Sequence, residues 1–239
     1  MNESNPKCLI IAEAGNNHEG HLDTALELIE RAKESGADMV KFQAGMAEGF
    51  ATNPTDPEQI RKYRRYELGL TGYDKLILRG NELGIPVFFS VWSPEFDAYN
   101  GLRYKKVPAR QCDHQTILRL DSPTTYISIP HSMPLMKVAA LPIHRGVPMH
   151  VVAQYPAGSA MMARFHDLRA ALKKKVGQVG YSDHTVGIYW AVRMATAKYT
   201  RCPVIEKHFT LKHDFGPLRD HALSATPEEM KEMVERIKT

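Results

Sequence analysis

The sequence predicts a closed (β/α)8 barrel that occupies residues 1–239 as a single domain. Short apolar runs, many of them β-branched, alternate with longer segments of helical period along the whole chain. Eight such runs fit within 239 residues, which is the length that a barrel of this kind needs. Glycines 36, 84 and 146 each lie between a helical segment and the next strand, where helices end on a left-handed residue. An open doubly wound sheet is the alternative, and eight β units favour closure.

The elements follow in order along the chain. Strands are predicted at residues 8–12, 38–43, 86–91, 104–108, 124–129, 147–153, 178–182 and 203–208, and helices at 22–35, 73–83, 94–102, 161–175, 185–199 and 227–238. Thr226 and Pro227 begin the last helix with an N-cap and a proline at the first helical position. The segment 134–144 is the weakest helix, since Pro134 and Pro142 interrupt it. The polar, proline-containing stretch 45–65 is predicted to run over the mouth of the barrel.

Composition restricts the class of protein. With 43% hydrophobic and 24% charged residues and a net charge of +4, the chain has the composition of an ordinary globular protein. Lys173–Lys175 is the one basic run, so no nucleic-acid partner is expected. No apolar run approaches the length of a membrane helix, and the N-terminus does not resemble a signal peptide. Three cysteines without a CxxC pair indicate a reducing compartment, and we expect a cytoplasmic protein.

Ionisable and polar residues cluster at the carboxyl ends of the predicted strands, where a (β/α)8 barrel gathers its functional loops. They are Glu13, Lys41, Gln43, Lys106, Arg110, Ser128, Gln154, Tyr155, Ser182, Asp183, His184, Glu206, Lys207 and His208. Polar side chains at alternating positions of a strand indicate a shared polar cavity, because the interior of a strand is otherwise apolar.

His184 and His208 end adjacent strands at matching heights, so their imidazoles can converge on one divalent cation. Glu13 or Asp220 could add an oxygen ligand. Such a set suits Mn²⁺, Mg²⁺, Fe²⁺ or Zn²⁺. The alternative is that both histidines are only hydrogen-bonded at a loop.

Lys41 and Lys106 are candidates to bind an anion, since ammonium groups in a water-excluded pocket hold phosphate or carboxylate strongly. The alternative is an internal salt bridge with Glu13 or Glu206. Sequence patterns alone leave both interpretations open.

Five blocks of the chain closely resemble the sialic acid synthase family, the phosphoenolpyruvate-dependent nonulosonate synthases of the N-acetylneuraminate type. The blocks are IAEAGNNHEG at 11–20, ADMVKFQ at 37–43, GYSDHT at 180–185, VIEKHFT at 204–210 and DHALS at 220–224. The resemblance implies a (β/α)8 barrel and an aldol-like condensation of phosphoenolpyruvate with an N-acylated amino-sugar aldehyde such as N-acetylmannosamine. A divalent metal, usually Mn²⁺ or Mg²⁺, would polarise the aldehyde.

The resemblance also implies roles for single residues. His184 and His208 would bind the metal, while Lys41 and Lys106 would grip phosphoenolpyruvate. The hydroxyls of Ser128 and Ser182 would donate to the same anion. Positions that contact the sugar and the metal-bound water correspond to Glu13, Gln43, Tyr155 and Asp220, and Glu206 stands where an acid/base carboxylate is expected.

The chain departs from the family at four places. Val91 stands where the family has a phosphate-binding threonine, and Ala109 and Gln111 replace a serine and a glutamate after strand 4. The segment between strands 5 and 6 is shortened. We expect the family's C-terminal antifreeze-like domain, which lends an arginine to a neighbouring subunit, to be absent. A homo-oligomer or a separately encoded partner domain is the partner that this leads us to expect.

These observations leave three functions. The leading one is a metal-dependent, carbon–carbon bond-forming synthase. The second is a relative that acts on a different anionic substrate, with Arg110 as an anion clamp in place of the lost hydroxyls. The third is a catalytically silent barrel that binds a sugar or a metal. Retention of so many polar residues at strand ends opposes the third.

Overall fold

The computed structural model describes residues 8–96, 103–120, 123–144, 146–158 and 162–239. Eight parallel strands form one sheet, in which each strand pairs with the next along the chain and the first closes on the last. The strands are β1 (Leu9–Gly15), β2 (Met39–Ala44), β3 (Val87–Val91), β4 (Tyr104–Val107), β5 (Thr124–Pro130), β6 (Gly146–Val151), β7 (Gly180–Asp183) and β8 (Val204–His208). The predicted (β/α)8 barrel is therefore confirmed.

Helices surround the barrel and connect its strands. In the described ranges they are α1 (Leu22–Glu34), α2 (Ala47–Phe50), α3 (Pro57–Arg64), α4 (Gly69–Leu83), α5 (His114–Arg119), α6 (Leu135–Ala140), α7 (Met162–Leu172), α8 (Tyr189–Thr196) and α9 (Pro227–Lys238). The N-cap predicted for α9 is confirmed: Thr226 forms a reciprocal capping box with Glu229.

Several element predictions need correction. The stretch 45–65 contains the short helices α2 and α3, and α5 was not predicted at all. Helix α8 begins at Tyr189 rather than at 185, because Gly187 adopts a positive φ of 70° that a helix cannot include. The helix predicted at 94–102 falls largely outside the described residues, of which Pro94–Phe96 forms a 3₁₀ turn.

Two of the three predicted cap glycines are confirmed. Gly36 and Gly84 follow α1 and α4 with φ of 83° and 64°. Gly146 instead opens β6, where a Cβ atom would lie 2.5 Å from Cδ1 of Ile127 and 2.9 Å from the carbonyl oxygen of Thr125. Close packing against β5, and not a left-handed turn, explains the glycine at this position.

Alternate residues of each strand point into the barrel and divide its interior into two layers. The lower layer is apolar and consists of Ile11, Met39, Phe88, Tyr126, Met149 and Val204. Two residues further along the strands, the same interior face carries the side chains of Glu13, Lys41, Ser90, Lys106, Ser128, Ser182 and Glu206, each no more than 4% exposed. We call these seven residues the polar layer. It lies toward the carboxyl ends of the strands, where the loops that follow them can enclose a ligand.

The outward-facing residues of the strands pack with the helices in a second, larger apolar core that includes Ile10, Phe42 and Phe89. All three cysteines are buried free thiols, as their spacing predicts. None of the helices in the described ranges is long and apolar enough to span a bilayer.

Candidate active site

Lys41 lies at the centre of the polar layer. Its ammonium group forms an ion pair with the carboxylate of Glu13 and donates a hydrogen bond of 2.8 Å to Oγ of Ser90. The same nitrogen lies 3.7 Å from Oε1 of Glu206. The side chains of β1, β2, β3 and β8 are thereby joined inside the barrel.

Glu206 connects the other half of the polar layer. Its Oε1 atom lies 2.5 Å from Nζ of Lys106 and accepts a hydrogen bond of 2.8 Å from Oγ of Ser182. Within the layer, two ammonium groups face two carboxylates. The internal salt bridges that sequence patterns left as an alternative are therefore present, and an incoming anion has to compete with these carboxylates for the lysines.

The neighbouring lysines separate the proton affinities of the two buried carboxyls. Burial raises the pKa of Glu13, and the charge of Lys41 offsets only part of this effect. Burial acts on Glu206 in the same direction, but Lys106 and Lys41 together outweigh it and lower the pKa of that carboxyl. The pKa of the Lys106 ammonium falls to about 8, chiefly through burial. Glu13 is therefore the carboxyl of the layer that more readily holds a proton, and Glu206 the one that more readily stays ionised.

His184 and His208 lie two residues beyond Ser182 and Glu206, on the same interior face. Their ring centroids are 5.0 Å apart. Nδ1 of His184 lies 2.7 Å from the carbonyl oxygen of Val152, to which it must donate because a carbonyl only accepts. Nε2 of His184 therefore carries the lone pair of the neutral ring.

The donor set of this histidine pair fits a divalent cation. Burial lowers the pKa of His184 to about 4 and that of His208 well below its usual range, so both rings stay neutral, as a metal ligand must be. Nδ1 of His208 is buried and has no hydrogen-bond partner in the described structure. No group of three or more His, Cys, Asp or Glu side chains with ligand geometry occurs there. Water and substrate would therefore complete the coordination of a cation at this pair.

Tyr155 joins the histidine pair to the mouth of the barrel. Its ring stacks on His184 at a centroid distance of 4.4 Å, and its hydroxyl lies 3.5 Å from Nε2 of that histidine. Cζ of Arg219 lies 4.7 Å from the centroid of the Tyr155 ring. Asp220 follows in the 3₁₀ turn after β8, with Oδ1 3.6 Å from Nε of Arg219, and burial raises the pKa of its carboxyl. Asp220 therefore lies close to Tyr155, the residue that stacks on His184.

The remaining site candidates are placed differently. Ser128 is buried in the polar layer on the Tyr126 face of β5. The side-chain amide oxygen of Gln43 accepts a hydrogen bond of 3.1 Å from Asn16, in the loop after β1. Arg110 is exposed: its guanidinium donates to the carbonyl oxygen of Phe50 and lies 4.8 Å from the Trp92 ring centroid. These contacts hold Arg110 against the segments that follow β2 and β3 and not among the lysines of the polar layer.

The departures after β3 and β4 also look different in three dimensions. Val91 packs in the outer core with Phe89, so its side chain points away from the barrel interior. Ser90 is the inward residue here and keeps its hydroxyl on Lys41. The expectation that the site loses a phosphate-binding hydroxyl at position 91 is therefore wrong. The amide of Gln111 donates to the carbonyl oxygen of Trp92 at 3.0 Å and fixes the two loops to each other.

Sequence reasoning missed Ser90, Arg219 and the carbonyl of Val152 as parts of the site. A signal existed for Ser90, because it lies two residues after Phe88 and shares its inward face. Arg219 and Val152 had none, since a stacking contact and a backbone acceptor depend on how separate loops meet.

The fold and the site define a barrel enzyme whose histidine pair lies above a buried layer of lysines and carboxylates. The NeuB family profile matches residues 143–239. The N,N'-diacetyllegionaminic acid synthase of Campylobacter jejuni is 31% identical over 97% of this chain and 76% of its own length. The enzyme of the same name from Legionella pneumophila is 32% identical over 98% of this chain and 72% of its own. The crystal structure of an N-acetylneuraminic acid synthetase from Leptospira borgpetersenii superposes with a TM-score of 0.82 at 25% identity, covering 98% of this chain and 83% of that one.

The chain belongs to the NeuB family. It is an enzyme of this family of synthases, whose reaction forms a carbon–carbon bond with phosphoenolpyruvate. Relatives named for legionaminic, pseudaminic and N-acetylneuraminic acids mark it as similar to nonulosonic acid synthases.

Proposed function

We propose that this enzyme condenses phosphoenolpyruvate with an N-acylated amino-sugar aldehyde to give a nonulosonic acid and phosphate. One observation carries the proposal: the buried ammonium groups of Lys41 and Lys106 lie in the layer immediately below His184 and His208. The two ammonium groups can bind a small polyanion, and the two imidazoles beside them are suited to bind at the carbonyl group of a second substrate.

The reaction needs proton transfers at two oxygens. C3 of phosphoenolpyruvate attacks the aldehyde carbon, and the aldehyde oxygen takes up a proton. Water adds to the electron-poor C2, and the C2–O bond breaks with its electron pair leaving on phosphate. One proton of the water replaces the proton given to the aldehyde oxygen, and the other ends on phosphate.

Glu13 and Glu206 suit these two transfers. The raised pKa of Glu13 makes it the group that holds a proton for the aldehyde oxygen, and the lowered pKa of Glu206 makes it the ionised base for water. A proton on Glu13 also neutralises the carboxylate that pairs with Lys41. Binding of the polyanion and loading of the acid then favour each other, because the layer gains positive charge when Glu13 is neutral.

The other site residues bind and orient. Lys41 and Lys106 hold the phosphate and carboxylate of phosphoenolpyruvate, with hydroxyls from Ser128 and Ser182 as further donors. At the upper end, Gln43, Tyr155 and Asp220 contact the sugar in this proposal. Arg219, exposed at the rim and stacked on Tyr155, adds a cation there.

We also propose that His184 and His208 hold a divalent metal, with Mn²⁺ or Mg²⁺ as the first candidates. Bound there, the metal would polarise the aldehyde oxygen as a Lewis acid. The neutral state of both rings and the unpartnered Nδ1 of His208 support this assignment.

A relative that acts on another anionic substrate is the second candidate. It is favoured by Gln111, an amide that cannot exchange a proton at neutral pH and that is tied to the Trp92 carbonyl. Catalysis with a different anion or a different acceptor would then replace the standard pair.

Phosphate release from phosphoenolpyruvate, measured with Mn²⁺ and a panel of amino-sugar aldehydes, tests the proposal. We expect release that depends on both an aldehyde and the metal, and that Lys106→Met abolishes. The exposed Lys75 serves as control, and Lys75→Met should leave the rate unchanged. Release with other carbonyl acceptors only would favour the second candidate, and no release with a bound sugar or metal would favour the silent barrel.

A further inference from the structure

A second ion pair lies behind the histidine pair, on the outer face of the barrel. Asp183 and Lys207 are paired in register across β7 and β8, with Nζ of Lys207 3.2 Å from Oδ2 of Asp183. Both side chains are fully buried. They share their strand face with Tyr181 and Ile205, which belong to the outer core, so neither reaches the cavity.

This pair holds the backbone that follows His184. Oδ1 of Asp183 accepts hydrogen bonds from the backbone N–H of Thr185 at 3.0 Å and from the hydroxyl of Tyr181 at 3.1 Å. Nζ of Lys207 donates to the carbonyl oxygen of Thr185 at 2.5 Å. The N–H and the C=O of Thr185 are thus held by side chains from two adjacent strands, β7 and β8.

We call the contacts of Asp183 and Lys207 with Thr185 the clamp. It lies where the backbone pairing of β7 with β8 ends. The pairing of β7 with β8 ends at Asp183 and Lys207, so His184 and His208 both lie one residue beyond the last ladder pair. His208 is also paired with Glu13 of β1, and the carbonyl oxygen of His184 accepts a hydrogen bond of 2.8 Å from the N–H of Ala157. The side chains of Asp183 and Lys207 add a further bridge between β7 and β8 at this point.

A buried ion pair is a weak source of stability, because removing two charges from water offsets most of their attraction. Burial lowers the pKa of Lys207 in this way. Such a pair is well suited to specifying geometry, since its charged hydrogen bonds are strongly directional. Its location, immediately behind two imidazoles, indicates which geometry it specifies.

We infer that Asp183 and Lys207 are positioning residues that fix the orientation of His184 and its distance from His208. The inference rests on the proposed function of the histidine pair as a metal site. It assigns a role to a pair of residues outside the cavity, which acts on His184 through the backbone of Thr185.

The test uses Asp183→Asn/Lys207→Met, which removes both charges and keeps the approximate shapes of the side chains. Ile205→Val is the matched control, because it weakens packing on the same face of β8 and leaves the clamp intact. Two quantities are measured on the full chain without substrate: the imidazole nitrogen NMR shifts of His184 in the metal-free protein, and the dissociation constant for Mn²⁺ from calorimetric titration.

In the wild type and in Ile205→Val we expect a single His184 tautomer, protonated at Nδ1. In the double variant we expect mixed tautomers and Mn²⁺ affinity weaker by about tenfold or more, as for other groups that orient metal ligands. A folded double variant with the wild-type tautomer and the wild-type Mn²⁺ affinity overturns the inference. If the double variant does not fold, Asp183→Asn alone, which keeps an acceptor for Thr185, is decided by the same two measurements.

The two hypotheses fail in different ways. If the wild type binds no Mn²⁺ and releases no phosphate, the proposed function fails. The imidazole spectrum still decides whether Asp183 and Lys207 position His184, since that measurement needs neither metal nor substrate.

Discussion

Inward and outward orientation decides the role of each residue at the ends of the strands. Ser90 and Val91 are neighbours, yet the first contacts Lys41 in the polar layer and the second packs in the outer core. Lys106 faces inward and is paired with Glu206. The position of a residue along a strand therefore does not suffice to assign its role. Whether its side chain points into or out of the barrel must also be known.

The alkaline limit of activity should depend on Lys106. Its folded pKa, lowered to about 8 mainly by burial, means that the free enzyme loses this positive charge as pH rises through 8. We expect kcat/KM for phosphoenolpyruvate to fall above pH 8, since that ratio reports groups of the free enzyme. Lys106→Arg keeps its charge across this range, so its slower reaction should lack the alkaline fall. The same alkaline fall in both proteins would assign it to another group.

Substitutions at Ser90 and Val91 should have opposite consequences. Ser90→Ala removes the hydrogen bond to Lys41 and should raise KM for phosphoenolpyruvate roughly tenfold, since a hydrogen bond to a charged group contributes about 1.5–3 kcal/mol. Val91→Thr should not improve phosphate release, because the new hydroxyl points into the outer core. That hydroxyl should lower the free energy of unfolding by about 1–2 kcal/mol. Improved release in Val91→Thr would show that this side chain reaches the substrate.

At the scale of elements, the barrel depends on close approach between adjacent strands as much as on their composition. Gly146 opens β6 in contact with β5, whereas Gly158 stands in the loop that follows β6 and has open space around it. In the sequence, each of these glycines simply follows a helix or a strand. Only the structure distinguishes the packed position of Gly146 from the open position of Gly158.

Alanine at these two glycines should separate the two cases. In Gly146→Ala the new Cβ meets Ile127 and the Thr125 carbonyl, and we expect a loss of about 1–3 kcal/mol in the free energy of unfolding, as for an overpacked site. Gly158→Ala meets nothing within 4 Å and should change it by less than about 0.5 kcal/mol. Urea unfolding of both variants measures the difference, and equal stabilities would contradict the close packing of β5 and β6.

Elements were predictable to the extent that their signals are local. The eight strands and helices α1, α4 and α9 follow from apolar period and end signals within each segment. The short helices α2, α3 and α5 do not, because each has too few residues for a period to show. Helices of this length are stabilised by packing and caps, such as the Asp56 cap of α3, more than by propensity.

For the whole molecule, closure of β1 on β8 brings residues from the two ends of the chain into one site. Glu13 stands opposite His208 in that pairing. Closure also buries titratable side chains that the proposed reaction does not use. His18 accepts a hydrogen bond at Nδ1 from the backbone of Gly20, and His150 packs against Tyr181 and Phe165.

Acid should destabilise the protein through these buried histidines. Burial lowers the pKa of His18 to about 3 and that of His150 to about 4. Between pH 6.5 and 4 the unfolded chain binds these protons and the folded chain does not, so stability falls as pH falls through this window. We expect each histidine to contribute on the order of 2 kcal/mol to this loss. Urea unfolding at pH 7.5, 6 and 5 measures this loss in the free energy of unfolding. We expect His150→Phe to lose less stability over this range than the wild type. An unchanged loss would rule out His150 as a source.

Local sequence signals were enough to predict the closed barrel, the polar residues at the carboxyl ends of its strands and the family of the chain. This was possible because strand period, helix period and motif spacing are encoded in neighbouring residues. Three features became visible only in the folded chain: the pairing of Lys41 and Lys106 with Glu13 and Glu206, the stacking of Arg110 on Trp92, and the clamp of Asp183 and Lys207 on the loop behind His184. These contacts join residues from separate strands and loops, and their geometry exists only once the sheet has closed.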